Sequence, residues 1–203
     1  MPPTVTTWVA GAPFDRVFRH AYAPTAFNPG RGAPEPAGRF HFFADERGDV
    51  VPAMYGGTPE DVAIAETVFH DVPVRGAGRI VQESTLEPLS IARLRATRDL
   101  RLVELLGHGL RALQLRPEEL TATEPNTYRG TVAWAAALHA AMPDVDGLLW
   151  MSRQFNAGRA LVLFGGRVAE TLLEVTQTPL PLLAGPGRSK VERAANAARI
   201  AIV

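Results

Sequence analysis

The stretch Val50-Val51-Pro52-Ala53-Met54-Tyr55-Gly56-Gly57-Thr58-Pro59-Glu60-Asp61-Val62-Ala63-Ile64-Ala65-Glu66-Thr67-Val68-Phe69 passes from one kind of secondary structure to another within twenty positions. Val50 to Tyr55 is apolar and reads as a strand, which the Gly56-Gly57 pair should break. Thr58 then suits a helix cap, Pro59 the first helical position, and Glu60 and Asp61 the positive end of the helix dipole. Val62, Ala65 and Phe69 recur at helical spacing and predict one apolar face. Glu66 sits on the edge of that face. A carboxylate is seldom placed there unless it is paired or does chemistry. The plain alternative is a glutamate that reaches outward or pairs with an arginine.

Working outward, the flanks carry short extended and helical segments in no regular alternation. Upstream, proline and glycine crowd Pro24 to Gly38, which predicts a long irregular loop, followed by a strand over Arg39–Phe43. Downstream, strands are expected at Arg79–Gln82, Ile91–Arg95, Leu100–Glu104, Gly147–Met151, Arg159–Phe164 and Val168–Val175. Helices are expected at Gly107–Leu113, at about Thr127–Ala141 with Pro143 as its stop, and over Ser189–Arg199. Because strands and helices do not alternate, a doubly wound parallel sheet is disfavoured. The expected class is α+β, with mixed or antiparallel sheets and flanking helices, in one domain over residues 1–203.

Composition narrows the function. Of 203 residues, 46% are hydrophobic, enough for a sizeable core. Lys+Arg and Asp+Glu each number 21, so the formal charge is +0 and there is no bulk attraction for nucleic acid or anionic lipid. An anion site must be local, and arginine supplies it, since Lys190 is the single lysine. The absence of cysteine removes disulfides, thiolate metal sites and a cysteine nucleophile. His20, His41, His70, His108 and His139 fall at no metal-ligand spacing, so no metal is expected. Met1 to Ala12 carries no secretory pattern and no apolar run is long enough for a bilayer, so the chain reads as soluble and cytoplasmic.

Other residues stand where they could line a pocket. Tyr55 ends an apolar strand just before the glycine pair. Arg16 and Arg19 straddle a short apolar unit, and Arg39 follows Gly38. Ser152 and Arg153 close the apolar run Leu148-Leu149-Trp150-Met151, with no nucleophile-elbow glycines around the serine. Taken singly, each has a plainer reading: a core tyrosine, surface arginines, an ordinary strand end.

Their order along the chain resembles that of RES-domain proteins. The first half carries Arg16-Val17, Phe27-Asn28-Pro29, Gly38-Arg39-Phe40, Tyr55 and Ala65-Glu66-Thr67. The second carries Tyr128, Trp134-Ala135, Ala137-Leu138-His139, Asp146-Gly147-Leu148, Trp150-Met151-Ser152-Arg153-Gln154, Leu163-Phe164 and Arg167-Val168. The resemblance runs over about residues 16–168. It implies a fold like that of ADP-ribosylating toxins, and identifies Arg39, Glu66 and Ser152 as the family's arginine, glutamate and serine. Tyr55 is similar to a tyrosine lining the same site, and Arg16 or Arg19 to a second site arginine.

The resemblance further implies an NAD-consuming enzyme, an NAD phosphorylase or glycohydrolase. Such a protein is the toxin of a bacterial toxin–antitoxin pair, neutralised by a helical antitoxin of the Xre type. NAD would be substrate rather than cofactor, with inorganic phosphate a possible co-substrate. In this picture Glu66 steadies the cationic ribose formed as nicotinamide leaves. Arg39, with Arg16 or Arg153, grips phosphate; Tyr55 shields the site; Ser152 orients Glu66 or a ribose hydroxyl. Two alternatives use the same pocket: a mono-ADP-ribosyltransferase acting on a protein, and a non-catalytic module that binds a nucleotide or an antitoxin.

Overall fold

A computed structural model of the chain describes residues 2–30, 38–76, 78–124 and 127–203. Eleven strands and six helices are found among them. Strands β1 (Val5–Trp8), β2 (Pro13–Arg19) and β3 (Ala53–Thr58) lead into helix α1 (Glu60–Thr67). Strand β4 (Ile80–Val81), helix α2 (Glu83–Leu86), and strands β5 (Leu89–Ala96) and β6 (Leu100–Leu105) follow. Helices α3 (Gly107–Ala112), α4 (Pro117–Leu120) and α5 (Tyr128–Ala141) precede strands β7 (Gly147–Met151) and β8 (Arg159–Phe164). Strands β9 (Leu173–Val175) and β10 (Leu180–Pro181), helix α6 (Gly185–Ala198) and strand β11 (Ala201–Ile202) complete the chain.

The fold is α+β, with one mixed sheet and flanking helices. Strand order is β1-β6-β7-β8-β3-β2-β5-β10, and β9 pairs with the other end of β5. Only β6 and β7 run parallel within it; a separate two-stranded parallel ribbon joins β11 to β4. The sheet curls, and its packing says why. Phe14, Phe18 and Leu94 from β2 and β5 share one buried cluster with Leu102, Leu149, Leu161 and Leu163 from β6, β7 and β8. The two halves of the sheet therefore close over a common apolar filling. The opposite face of the β6–β8 half packs on α5 through Val132, Ala135 and Leu138, with Trp150 and Phe40 at its centre.

Strand β2 buries both faces, since Val17 points away from Phe14 and Phe18 into a third cluster with α1 and α6. Helix α1 is accordingly walled in: Val62, Ala63, Ile64 and Ala65 are all buried in succession. The single apolar stripe expected from Val62, Ala65 and Phe69 is thus too narrow, and Phe69 lies beyond the helix end.

Several local expectations need correction. Gly56 and Gly57 do not break β3 but belong to it, because a Cβ at Gly56 would lie 2.6 Å from the Phe14 ring. A Cβ at Gly57 would lie 2.4 Å from Val62. The glycines thus let α1 and β2 approach the strand. Thr58 ends β3 and is no cap; Pro59 is the N-cap, without a side-chain capping bond. Arg39–Phe43 is a tight turn rather than a strand, closed by an isolated bridge between Gly38 and His41. Of the expected Val168–Val175 strand only Leu173–Val175 forms, after a 3₁₀ turn at Glu170–Leu172. Helix α6 begins at Gly185, ahead of the expected Ser189, with Pro186 in its first turn. Of the loop expected over Pro24–Gly38, residues 31–37 lie outside the described residues.

Candidate active site

The site begins with a fault in the sheet. Strands β2 and β3 are paired at one position only, Asp15 with Gly57. Continuing that antiparallel register would set Val17 against Tyr55 and Arg19 against Ala53, yet neither pair forms, and Ala53 exchanges backbone hydrogen bonds with Asn28 instead. The strands splay there. All four of these residues, together with Arg16 and Gly56, line the resulting cleft of about 790 Å³. Strand β3 runs straight into α1, which delivers Glu66 to the same cleft, while the Gly38–His41 turn brings Arg39.

Glu66 is held from behind. The Ser152 hydroxyl donates to Glu66 Oε1 at 2.6 Å and accepts the Phe155 backbone N–H at 2.9 Å. Ser152 is buried, does not line the cleft, and acts as a bracket between the end of β7 and α1. Arg39 NH1 faces the other carboxylate oxygen at 3.8 Å, with side-chain exposures of 5% and 12% for arginine and glutamate, so the pair is nearly dry but loosely closed. Thr123 O accepts from Arg39 NH2 at 3.4 Å, the guanidinium lies 5.8 Å from the Tyr128 ring centre, and the Thr131 hydroxyl donates to the Arg39 carbonyl. Arg39 Nε is buried without a described partner. A buried donor of that kind is a costly feature for stability alone and a natural one for a site awaiting an anion.

Tyr55 Oη accepts the Phe40 backbone N–H at 3.0 Å, and its ring meets Trp150 edge-on at 5.9 Å. Burial raises its phenol well above the ordinary range, so Tyr55 stays protonated. Arg16 and Arg19 both line the cleft, but they are not equivalent. Arg16 is the deeper one: burial pushes its guanidinium down to about 10, with the Glu170 charge opposing, and NH1 donates to Pro24 O at 2.7 Å. Arg19 is exposed at the end of β2. Arg153 lies elsewhere. It donates to Thr123 O at 2.7 Å and pairs with Glu124, on a neighbouring cleft of about 440 Å³ that Arg39 and His70 also line.

The sequence reading thus finds Arg16, Arg39, Tyr55 and Glu66 gathered in one cleft, with Ser152 one layer behind and Arg153 on the far side of Arg39. It missed His41, whose Nδ1 is 2.9 Å from Tyr55 Oη, and the pair formed by His70 Nε2 and Tyr128 Oη at 2.9 Å. Tyr128 stood in the ordered motif series and was the available signal for the second; nothing in the sequence pointed to the first. Among the described residues no His, Cys, Asp or Glu side chains converge as metal ligands, and no helix is long and apolar enough to cross a membrane.

A carboxylate fixed by a serine and faced by an under-satisfied arginine opens on a cleft with a second arginine and a tyrosine, an arrangement that can offer forked donors to an anion and a carboxylate to a cationic or hydroxyl group. Residues 13–183 match the family model of the RES domain, and the chain belongs to that family. The match extends beyond both ends of the motif series read from the sequence. The RES family comprises NAD-related, toxin-like domains, which gives the chain an NAD-acting role in general terms. No curated protein matches the chain significantly.

Proposed function

We propose that the protein cleaves the bond between nicotinamide and ribose in NAD, as a phosphorylase or glycohydrolase. The observation that carries this reading is the clamped carboxylate: Glu66, tied to Ser152 on one oxygen and facing Arg39 on the other, at the open cleft between β2 and β3. When the glycosidic bond breaks, its electron pair moves to the cationic ring nitrogen and neutral nicotinamide departs, so no general acid is required. Positive charge then develops on the ribose. A carboxylate already held in place stabilises that charge without reorganising. Glu66 takes this role, and Ser152 keeps its carboxylate oriented. Arg39 and Arg16 hold the diphosphate through forked hydrogen bonds, and Tyr55 packs on the nicotinamide ribose and limits water.

The acceptor then bonds to the ribose carbon that nicotinamide vacated. Phosphate yields ADP-ribose-1″-phosphate; water yields ADP-ribose and a proton. The neighbouring cleft bearing Arg153 shares Arg39 with the first and offers the acceptor a separate approach. Incubating the protein with NAD, with and without inorganic phosphate, and identifying products by mass spectrometry tests this. Loss of NAD with stoichiometric nicotinamide supports cleavage, and a phosphate-dependent product selects phosphorolysis. Unchanged NAD after prolonged incubation overturns the reading. In the cell the activity would act as a toxin countered by a helical antitoxin of the Xre type. Expression of the wild-type chain should arrest growth and Glu66→Gln should not; equal growth of the two would refute the toxin role.

A further inference from the structure

The Gly38–His41 turn wraps around the Tyr55 phenol. The Phe40 N–H reaches Oη at 3.0 Å, and His41 Nδ1 lies 2.9 Å from the same oxygen, with the two rings edge-to-face at 4.9 Å. Proton counting assigns the direction of the second bond. The hydroxyl owns one proton and already accepts from Phe40. If Nδ1–H also donated, Oη would face two donors and its own proton would have no acceptor among the described residues. With the hydroxyl donating to Nδ1, Oη and Nδ1 are both satisfied, and the imidazole carries its proton on Nε2, which is not among the buried polar atoms left without a partner.

Two further observations agree. Burial, aided by the His70 charge, pushes the His41 imidazole down to about 4, so it is neutral near pH 7. Gly38 makes the contact possible, because a Cβ there would lie 2.4 Å from His41 Cε1. The ionisable groups sharing this wall of the cleft are Tyr55 on β3, Glu66 on α1, His70 beyond that helix, and Arg39 in the turn itself.

We propose that His41 is a positioning residue for NAD cleavage, fixing the Tyr55 ring against the reacting end of the cleft by accepting its hydroxyl proton. This rests on the NAD reading above. One short turn then serves two purposes: Arg39 answers Glu66, and Phe40 with His41 locks Tyr55. His41→Ala frees the phenol and lowers kcat about tenfold with little change in KM, since orientation is lost rather than binding. His41→Asn, whose Oδ1 can accept the same proton, retains most of the rate.

The test has two arms. Nitrogen-15 NMR of the histidine-labelled protein without NAD, at pH 7, should show His41 protonated on Nε2 and accepting on Nδ1. An Nδ1-protonated ring overturns the proposal. In the second arm kcat is measured for His41→Ala, Tyr55→Phe and the double variant. The double variant should be no slower than the slower single one, because both remove the same bond. Independent, multiplying losses, or an Asn variant as slow as Ala, overturn the positioning role while leaving NAD cleavage standing. A wild-type protein that releases no nicotinamide overturns the NAD reading and this role with it, whatever tautomer NMR reports.

Discussion

Ser152 carries the most structure per atom in the site. Its hydroxyl donates to Glu66 and accepts from Phe155 N–H, in a place almost without solvent. Ser152→Ala leaves the part-buried Phe155 amide without its acceptor and should lower the unfolding free energy by about 1–3 kcal/mol, measured by urea denaturation. It should also slow nicotinamide release while leaving NAD affinity nearly intact, because Glu66 stays but loses its fixed rotamer. Arg39→Lys makes the complementary case. The charge remains and the fork is lost, so KM for NAD should rise about tenfold with a smaller change in kcat. An unaltered KM would remove Arg39 from phosphate binding. At this scale the sequence was legible only collectively. Glu66, Tyr55 and Arg16 each had an ordinary explanation, and the order of short motifs made them a set. Arg153, next to Ser152 but beyond the end of β7, lines the neighbouring cleft that shares Arg39 rather than the one that holds Glu66. His41 gave no sign, because its importance comes from a turn contact with β3 that no spacing rule encodes.

The junction from β3 to α1 shows what can be read at the level of elements. The helix itself was legible from Pro59, Glu60 and Asp61, and the structure adds a reason for the acidic pair. Lys190 and Arg193 of α6 reach Glu60 at 2.7 and 2.8 Å, fastening the last helix to the first turn of α1. The glycine pair was read as punctuation because glycine is usually that. Here both are spacers inside a strand, and the partners that need the space lie on β2 and α1, out of reach of local sequence. Gly57→Ala follows directly. The added methyl meets Val62 Cγ1 at 2.4 Å and Val62 Cβ at 2.8 Å, with the Ala63 backbone nitrogen behind them at 3.2 Å, so α1 must shift as a body. The variant should lose about 1–3 kcal/mol of stability and, more tellingly, most of its activity, because the displaced helix carries Glu66. Full activity in a destabilised Gly57→Ala protein would show that the site tolerates movement of α1.

The molecule as a whole is a curled sheet with a deliberate gap. Fold class followed from the irregular succession of strands and helices, but the curl did not, because it depends on β2 and β5 sharing a core with β6, β7 and β8. The gap between β2 and β3 was likewise invisible: both strands look pairable in sequence, and only the three-dimensional register shows that they meet once. Two histidines link this architecture to pH. His41 in the cleft wall and His139 between Phe43, Phe164 and the Arg167 charge are each pushed down to about 4, chiefly by burial. Their unfolded counterparts protonate near 6.5, so the unfolded chain binds more protons between those values. Stability should hold above pH 6.5 and fall as pH drops from 6.5 toward 4, read from urea midpoints. His139→Leu should flatten part of that decline, and an unchanged slope would show that His139 is not buried neutral.

The proposed chemistry needs a carboxylate that acts in the transition state and contributes little to holding the substrate. Nicotinamide release and NAD affinity measured side by side on wild type and Glu66→Gln address it most directly. The expected result is a rate lower by at least about a hundredfold with a Kd within about threefold of wild type. Turnover of Glu66→Gln close to wild type would contradict it.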